Sequence, residues 1–313
     1  EVPTAKHLAA IISAKTQLLP ALRSLEVALT EIAAEFKTVR KIGRTHQQDP
    51  VPILLGQEFG GYARQVALSS ERITRGVDSL SELALGGTAV GNGLNTHPDF
   101  AQRVMALLNK LTDGNLYEAK DNFAAQAAQD AAVEMSGALK TAAVSMTKIA
   151  NDIRLLGSGP RCGLGEIKLP ALQPGSSIMP GKVNPVIPEA VLQIAAQVMG
   201  NDTTIAIGGQ AGNLELNVML PVITYNLLQS IALLAHAADL LNRKCVAGLA
   251  ADHAQCAAGL EKSLALATYL VPHIGYDEAA ALAYEAYQKG QSIRETVLSS
   301  KLMSDDELAK LLP

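Results

Sequence analysis

Gly175-Ser176-Ser177-Ile178-Met179-Pro180-Gly181-Lys182-Val183-Asn184-Pro185 carries more chemical information than any other stretch of the chain. Two glycines, two prolines and two adjacent serines in eleven residues exclude a regular helix or strand. The same stretch holds one lysine and one asparagine, and Glu189 follows shortly after. Lysine supplies a point charge, asparagine and serine supply hydrogen bonds, and glycine lets the backbone come close. That set suits an anionic ligand. A Gly/Ser loop leading into a helix also offers free backbone N–H groups to a carboxylate. On composition alone, however, a Ser/Gly/Pro loop is most often a plain connection.

On both sides of this loop the chain reads as long helices. Ala9, Ile12, Leu18, Leu22, Leu25, Leu29, Ile32 and Ala33 fall near helical spacing and predict one helix from Thr4 to about Lys41, with Pro20 a candidate kink. A polar break, Lys41 to Pro50, precedes a second helix over residues 51–85, with Pro52 in its first turn. Leu85 to Gly93 is Gly-rich, but no strand is expected before it, which excludes a dinucleotide site. Further helices are expected over 98–111, 122–156, 187–208, 214–243 and 247–270. Pro272 and Gly275 mark a boundary, and Ser304 is the expected N-cap of the last helix. Helices of roughly thirty residues exceed the usual ~10–14, and such lengths with short connections make a bundle. The expected fold is all-α: a long-helix bundle domain over residues 1–271 and a small helical domain over 272–313.

Composition agrees. Of 313 residues, 48% are hydrophobic but only 4% aromatic, with no tryptophan, so the core is built from Ala, Leu, Val and Ile. That favours packed helices over aromatic-rich strands. A net charge of -4 with no basic stripe excludes a nucleic-acid partner. No run of eighteen apolar residues is free of charged or polar breaks, so no membrane span is expected. Cys162, Cys245 and Cys256 are odd in number and show no CxxC spacing, which argues against disulfides and structural zinc. A reducing compartment fits, the cytoplasm or equally a mitochondrial matrix, and the first residues do not read as a signal peptide. The chain opens on Glu1, which points to a piece of a longer protein.

The loop does not stand alone. Gly43-Arg44-Thr45-His46 with Asp49, Leu55-Gly56-Gln57-Glu58-Phe59, Gly87-Thr88-Ala89-Val90-Gly91 with Gly93-Leu94-Asn95-Thr96, Ser158-Gly159-Pro160-Arg161, Gly163-Leu164 and Glu166-Ile167 accompany it in order. Together they resemble the fumarase/aspartase superfamily along nearly the whole chain. Within it the chain is most similar to the class II fumarate hydratases, through Gly86-Gly87-Thr88 and Asn122-Phe123-Ala124-Ala125-Gln126. Gly212 to Met219, with Asn217, and Val186-Ile187-Pro188-Glu189 lean toward the aspartases. The opening residues resemble those just after a Ser-Ser-Asn motif, so the resemblance implies that the family's N-terminal domain is absent from this chain.

The resemblance implies reversible hydration of fumarate to malate, with aspartate ammonia-lyase and a non-catalytic helical fragment as alternatives. It assigns His46, Ser176 and Glu189 to catalysis, and Thr45, Ser177, Lys182 and Asn184 to substrate binding. Ser176 takes a proton, Ser177 and Thr45 hold carboxylates, Lys182 and Asn184 face developing negative charge, and His46, oriented by Glu189, serves the departing water. Histidine suits that role because its ordinary pKa lies near neutral. The resemblance further implies a homotetramer with each site built from three chains, and no cofactor or metal. His97, His236, His253 and His273 have no partners nearby in sequence and are expected to be ordinary surface residues.

Overall fold

The computed structural model describes residues 2–312, and its architecture is all-α with a few very short strands. Two compact units share the chain. The first gathers the residues up to Ala28, Tyr62–Arg154 and Ala171–Gly248; the second gathers Leu29–Gly61, Leu155–Pro170 and everything from Leu249 onward.

The first unit begins with α1 (Val2–Ser13) and the first part of α2 (Leu19–Glu35), joined by a π-helical turn, Ala14–Leu18. The single helix expected here is therefore interrupted. The π turn lies just before Pro20, whose ring has no N–H to donate and crowds the preceding turn. Next in chain order come β1 (Arg40–Ile42), β2 (Pro52–Leu54), α3 (Leu55–Leu80), β3 (Glu82–Leu83), α4 (Phe100–Thr112), β4 (Tyr117–Glu118), α5 (Asn122–Ala127) and α6 (Asp130–Leu156). The Ala-rich segment expected as one helix breaks at Ala128, which is extended, so α5 and α6 are separate. On α6, Ala132, Met135, Leu139, Ala142, Met146, Ile149, Ile153 and Leu156 are buried at alternating spacings of three and four. That is the apolar stripe of a core-facing helix.

After β5 (Ile167–Lys168) come α7 (Val186–Gly209) and α8 (Leu220–Lys244). The helix expected from Leu214 starts only at Leu220, with Pro221 in its first turn, because the preceding residues form a tight turn. By length and hydropathy α8 suffices to cross a membrane, against the expectation from sequence. Its stripe of Ile223, Leu227, Ile231, Leu234, Ala238 and Leu241 is buried in contact with α1 and α7, as in a core helix of a bundle. Each such Leu or Ile contributes about 1.5–3 kcal/mol. Asn201 of α7, also buried, donates to Gln229 Oε1 at 2.9 Å and Ser230 Oγ at 3.1 Å of α8. A buried amide placed this way fixes the register of two otherwise slippery apolar faces.

The second unit is built on β1 and β2, an antiparallel hairpin with Lys41 opposite Ile53 and Ile42 opposite Pro52. Pro52 is thus a strand residue, not the first turn of α3. β5 pairs with β6 (Ala250–Ala251), and α9 (His253–Lys262) lies against β1. The helix expected over 247–270 is divided into α9 and two 3₁₀ segments, Val246–Gly248 and Leu264–Leu270, with Ser263 capping the latter. Then come α10 (Val271–Ile274), α11 (Tyr276–Lys289), α12 (Ile293–Ser300) and α13 (Asp305–Leu311). Capping boxes at Ser292/Glu295 and at the expected Ser304/Glu307 start the last two. Ile42, Leu260, Leu266 and Leu270 share one core with Leu282, Ile293, Val297 and Leu308. By contacts, then, the tail is grouped with residues on both sides of position 272.

Candidate functional site

The residues singled out from the sequence fall into two groups, one in each unit. Thr45 and His46 sit at the tip of the β1–β2 hairpin. The Thr45 N–H donates to Gln48 O at 3.1 Å and the Gln48 N–H to Thr45 O at 2.9 Å, closing a two-residue turn. Both central residues, His46 (φ 53°) and Gln47 (φ 60°), are left-handed. Hairpins favour this twist, but they normally place Asn-Gly there. Each non-glycine residue held this way costs about 1–3 kcal/mol. The side chains of Thr45 and His46 are exposed, so the turn presents them outward.

Beneath the turn lies a cluster that the sequence reading missed. The Lys41 ammonium, 1% exposed, meets Glu58 at 2.9 Å and Glu166 at 3.0 Å. Arg44 donates both arms of its guanidinium to Glu166, at 2.8 Å and 3.0 Å. Burial opposes the Arg44 charge, but its hydrogen bonds to Glu166 and the charges of Glu166, Asp49 and Glu58 outweigh burial and hold its pKa above the ordinary value. The available signal was Gly165-Glu166-Ile167, a lone acid in an apolar setting. Unpaired, such an acid is too costly to bury.

The Gly175–Pro185 loop belongs to the first unit. Its neck is closed by Gly175 N–H donating to Lys182 O at 2.8 Å and Asn184 Nδ2 donating to Gly175 O at 3.0 Å. A Cβ on Gly175 would lie 2.3 Å from Lys182 O, so only glycine allows this closure. Ser176 Oγ accepts two backbone hydrogen bonds, from Ile178 and Met179, each at 3.2 Å. Ser176 and Asn184 are half-buried; Ser177 and Lys182 are exposed. A cavity of about 380 Å³ lies against Leu172, Pro174, Gly175, Ser176 and Lys182. Two donors on one hydroxyl oxygen stabilise its deprotonated form, and Lys182 adds an exposed positive charge nearby in sequence.

Glu189 lies in the first turn of α7, where a carboxylate complements the helix dipole. Its partner within the unit is Arg154, at 3.7 Å. Asn217 is fully buried and explained locally. Its Nδ2 donates to the carbonyls of Gly208 and Gly209, and its Oδ1 accepts from Met219 N–H, tying the end of α7 to the start of α8. The Gly-rich loop does follow a short strand, β3, contrary to expectation, and β3 pairs in parallel with β4 across α4. Yet α4 starts well past the loop, and the N–H groups of Gly87, Gly91 and Gly93 are all spent on the carbonyls of Ala84 and Gly87. None is left for a phosphate. His97, His236, His253 and His273 are exposed, and His97 accepts from Asp99 N–H in its own turn. His7, not singled out from sequence, is driven to a pKa of about 4 by burial and then by the Lys6 charge. Burial also pushes Cys245 up to about 12 and Cys256 up to about 11. Among the described residues, no three His, Cys, Asp or Glu side chains group to hold a metal ion.

Comparison with known proteins adds family and length. Residues 1–200 match the family described as lyase, and residues 266–313 match that described as fumarase C C-terminus. The class II fumarate hydratase of Thermosynechococcus vestitus is 51% identical over 305 residues, covering 97% of this chain and 65% of the relative. That of Mycobacterium tuberculosis is 53% identical over 304 residues, covering 97% and 64%. The chain therefore spans just under two thirds of the length of these relatives. Among solved structures, class II fumarase from Schistosoma mansoni aligns with a TM-score of 0.94 at 38% identity, over 99% of this chain and 68% of that one. A fumarate lyase:delta crystallin from Brucella melitensis aligns equally well, at 44% identity, over 99% and 67%.

Proposed function

The chain belongs to the lyase family, with a fumarase C C-terminal module at its end, and we propose that the full-length gene product is a class II fumarate hydratase that interconverts fumarate and L-malate. The observation that best supports this is the hydroxyl oxygen of Ser176, which faces two backbone N–H donors. A serine acting as a base needs its oxyanion stabilised, and two convergent N–H groups do that.

In the dehydration direction, from malate to fumarate, Ser176 takes the proton from the carbon beside a carboxylate. The electron pair left behind moves into that carboxylate, giving an aci-carboxylate dianion. Lys182 and Asn184 stabilise the new charge, while Ser177 and Thr45 hold the carboxylates. The dianion then collapses to the double bond and expels the hydroxyl on the neighbouring carbon. His46 gives that hydroxyl a proton, so water leaves and fumarate remains. Glu189 orients an imidazole supplied by a neighbouring subunit, in a homotetramer whose sites draw on three chains. The exposure of Ser177, Lys182 and His46 suits residues that await groups from other chains. The reaction needs no cofactor or metal on this reading. We place the enzyme in the cytoplasm, with residues 272–313 as part of its C-terminal module.

The test is the ultraviolet absorbance of fumarate's conjugated double bond, followed with the full-length gene product. Malate alone should raise it, and Ser176→Ala should abolish the rise. A rise with aspartate and not malate would move the assignment to ammonia elimination. No rise with either would remove both activities.

A further inference from the structure

The charged cluster under the hairpin is the strongest chemistry in the molecule without a role in the scheme above. Two cations and two carboxylates are costly to bury unless each is paired, and a broken pair costs more than a missing one. Here the pairing is complete. Glu166 receives the Arg44 fork and the Lys41 ammonium, and Lys41 also reaches Glu58. Glu166 is also anchored by its backbone. Its N–H donates to Leu156 O at 2.9 Å, and its O accepts from Asp252 N–H at 2.9 Å and from Cys256 Sγ at 3.5 Å. The carboxylate is therefore a fixed reference point tied to β5, β6 and α9.

The turn above it is weakly self-determined. Two backbone hydrogen bonds close it, both central residues are left-handed without being glycine, and its side chains are exposed. Arg44 adjoins Thr45 directly, and a planar two-armed fork fixes direction as well as distance. The geometry points to Arg44 and Glu166 as a positioning pair that holds the Thr45–His46 turn in one orientation, with Lys41 and Glu58 keeping Glu166 in place. Their role in this proposal is to act through the turn. The inference rests on His46 acting in hydration.

The experiment uses the full-length gene product with Arg44→Gln and Arg44→Lys. These avoid Glu166→Gln, which would take one charge partner from the buried Lys41 as well as from Arg44 and endanger folding. Two readouts are taken: kcat and KM for malate, and amide hydrogen exchange of the peptide spanning the hairpin. Arg44→Gln should lower kcat about 100-fold, the scale of a ~1 Å misplacement, with KM changed less than about threefold. Arg44→Lys keeps the charge but loses the fork, and should fall between Arg44→Gln and wild type. Exchange at Gly43, Thr45 and Gln48 should quicken at least about tenfold while α9 keeps its protection. A kcat within about twofold of wild type in both variants would overturn the inference, as would a loss of kcat that only tracks global unfolding. Unchanged exchange in the turn would overturn it whatever the activity. A wild-type protein inactive toward malate would sink the hydratase reading, and the exchange arm would still decide whether Arg44 holds the turn.

Discussion

Replacing Lys6 by Met should stabilise the protein at neutral pH and erase one stretch of its pH dependence. The Lys6 side chain is buried in α1, and its ammonium donates to Gln129 Oε1, also buried. Burial pulls its pKa from 10.5 to about 8. At ~1.36 kcal/mol per pKa unit, that drop of 2.5 (10.5 − 8) sets a ceiling of about 3 kcal/mol on the cost of keeping the charge. Met fills a similar volume without a charge, but it leaves Gln129 Oε1 without its donor, a loss of about 1–3 kcal/mol. The net gain expected at pH 7 is on the order of 1 kcal/mol. The pH signature is sharper than this size. Between pH 8 and 10.5 the unfolded chain keeps the Lys6 proton and the folded chain releases it, so the wild type gains stability as pH rises through that window. The variant lacks this gain, so the advantage it shows at pH 7 shrinks as pH rises. Urea unfolding at fixed protomer concentration, from neutral pH to about 10.5, measures both curves. A variant less stable at pH 7 by more than about 1 kcal/mol, with a curve parallel to wild type, would refute the reasoning and make Lys6 a net stabilising cation.

Gly175→Ala forces a Cβ to within 2.3 Å of Lys182 O and opens the neck of the loop, so kcat for malate should fall about 100-fold or more. The loop is largely exposed, so the unfolding free energy measured in urea should change by less than about 0.5 kcal/mol; unfolding in step with lost activity would count against a local effect. Asn217→Leu strands the carbonyls of Gly208 and Gly209 and the N–H of Met219, and should destabilise by about 2–4 kcal/mol with little change in KM. A change below about 1 kcal/mol would mean that water or a shift of the turn replaces these bonds.

What the sequence disclosed depended on how far apart the cooperating residues lie along it. Helical spacing is local, so α3, α6, α7 and α8 were legible from their apolar stripes, and the Ser304 cap from the acid three residues later. Strands of three residues carry too few alternations to show a period, and Pro52 fits a helix start as well as a strand edge. The break at Ala128 is invisible because alanine favours the helix on either side, yet the backbone there is extended. The same rule divides the site. Ser176, Ser177, Lys182 and Asn184 lie close together in one loop, and their residue types alone suggested an anion. The support of His46 lies elsewhere, since Arg44 meets its carboxylate 122 residues away. No local pattern announces a pair at that range. An isolated acid between Gly165 and Ile167 announces only that some cation must reach it, and it took the fold to name Arg44 and Lys41.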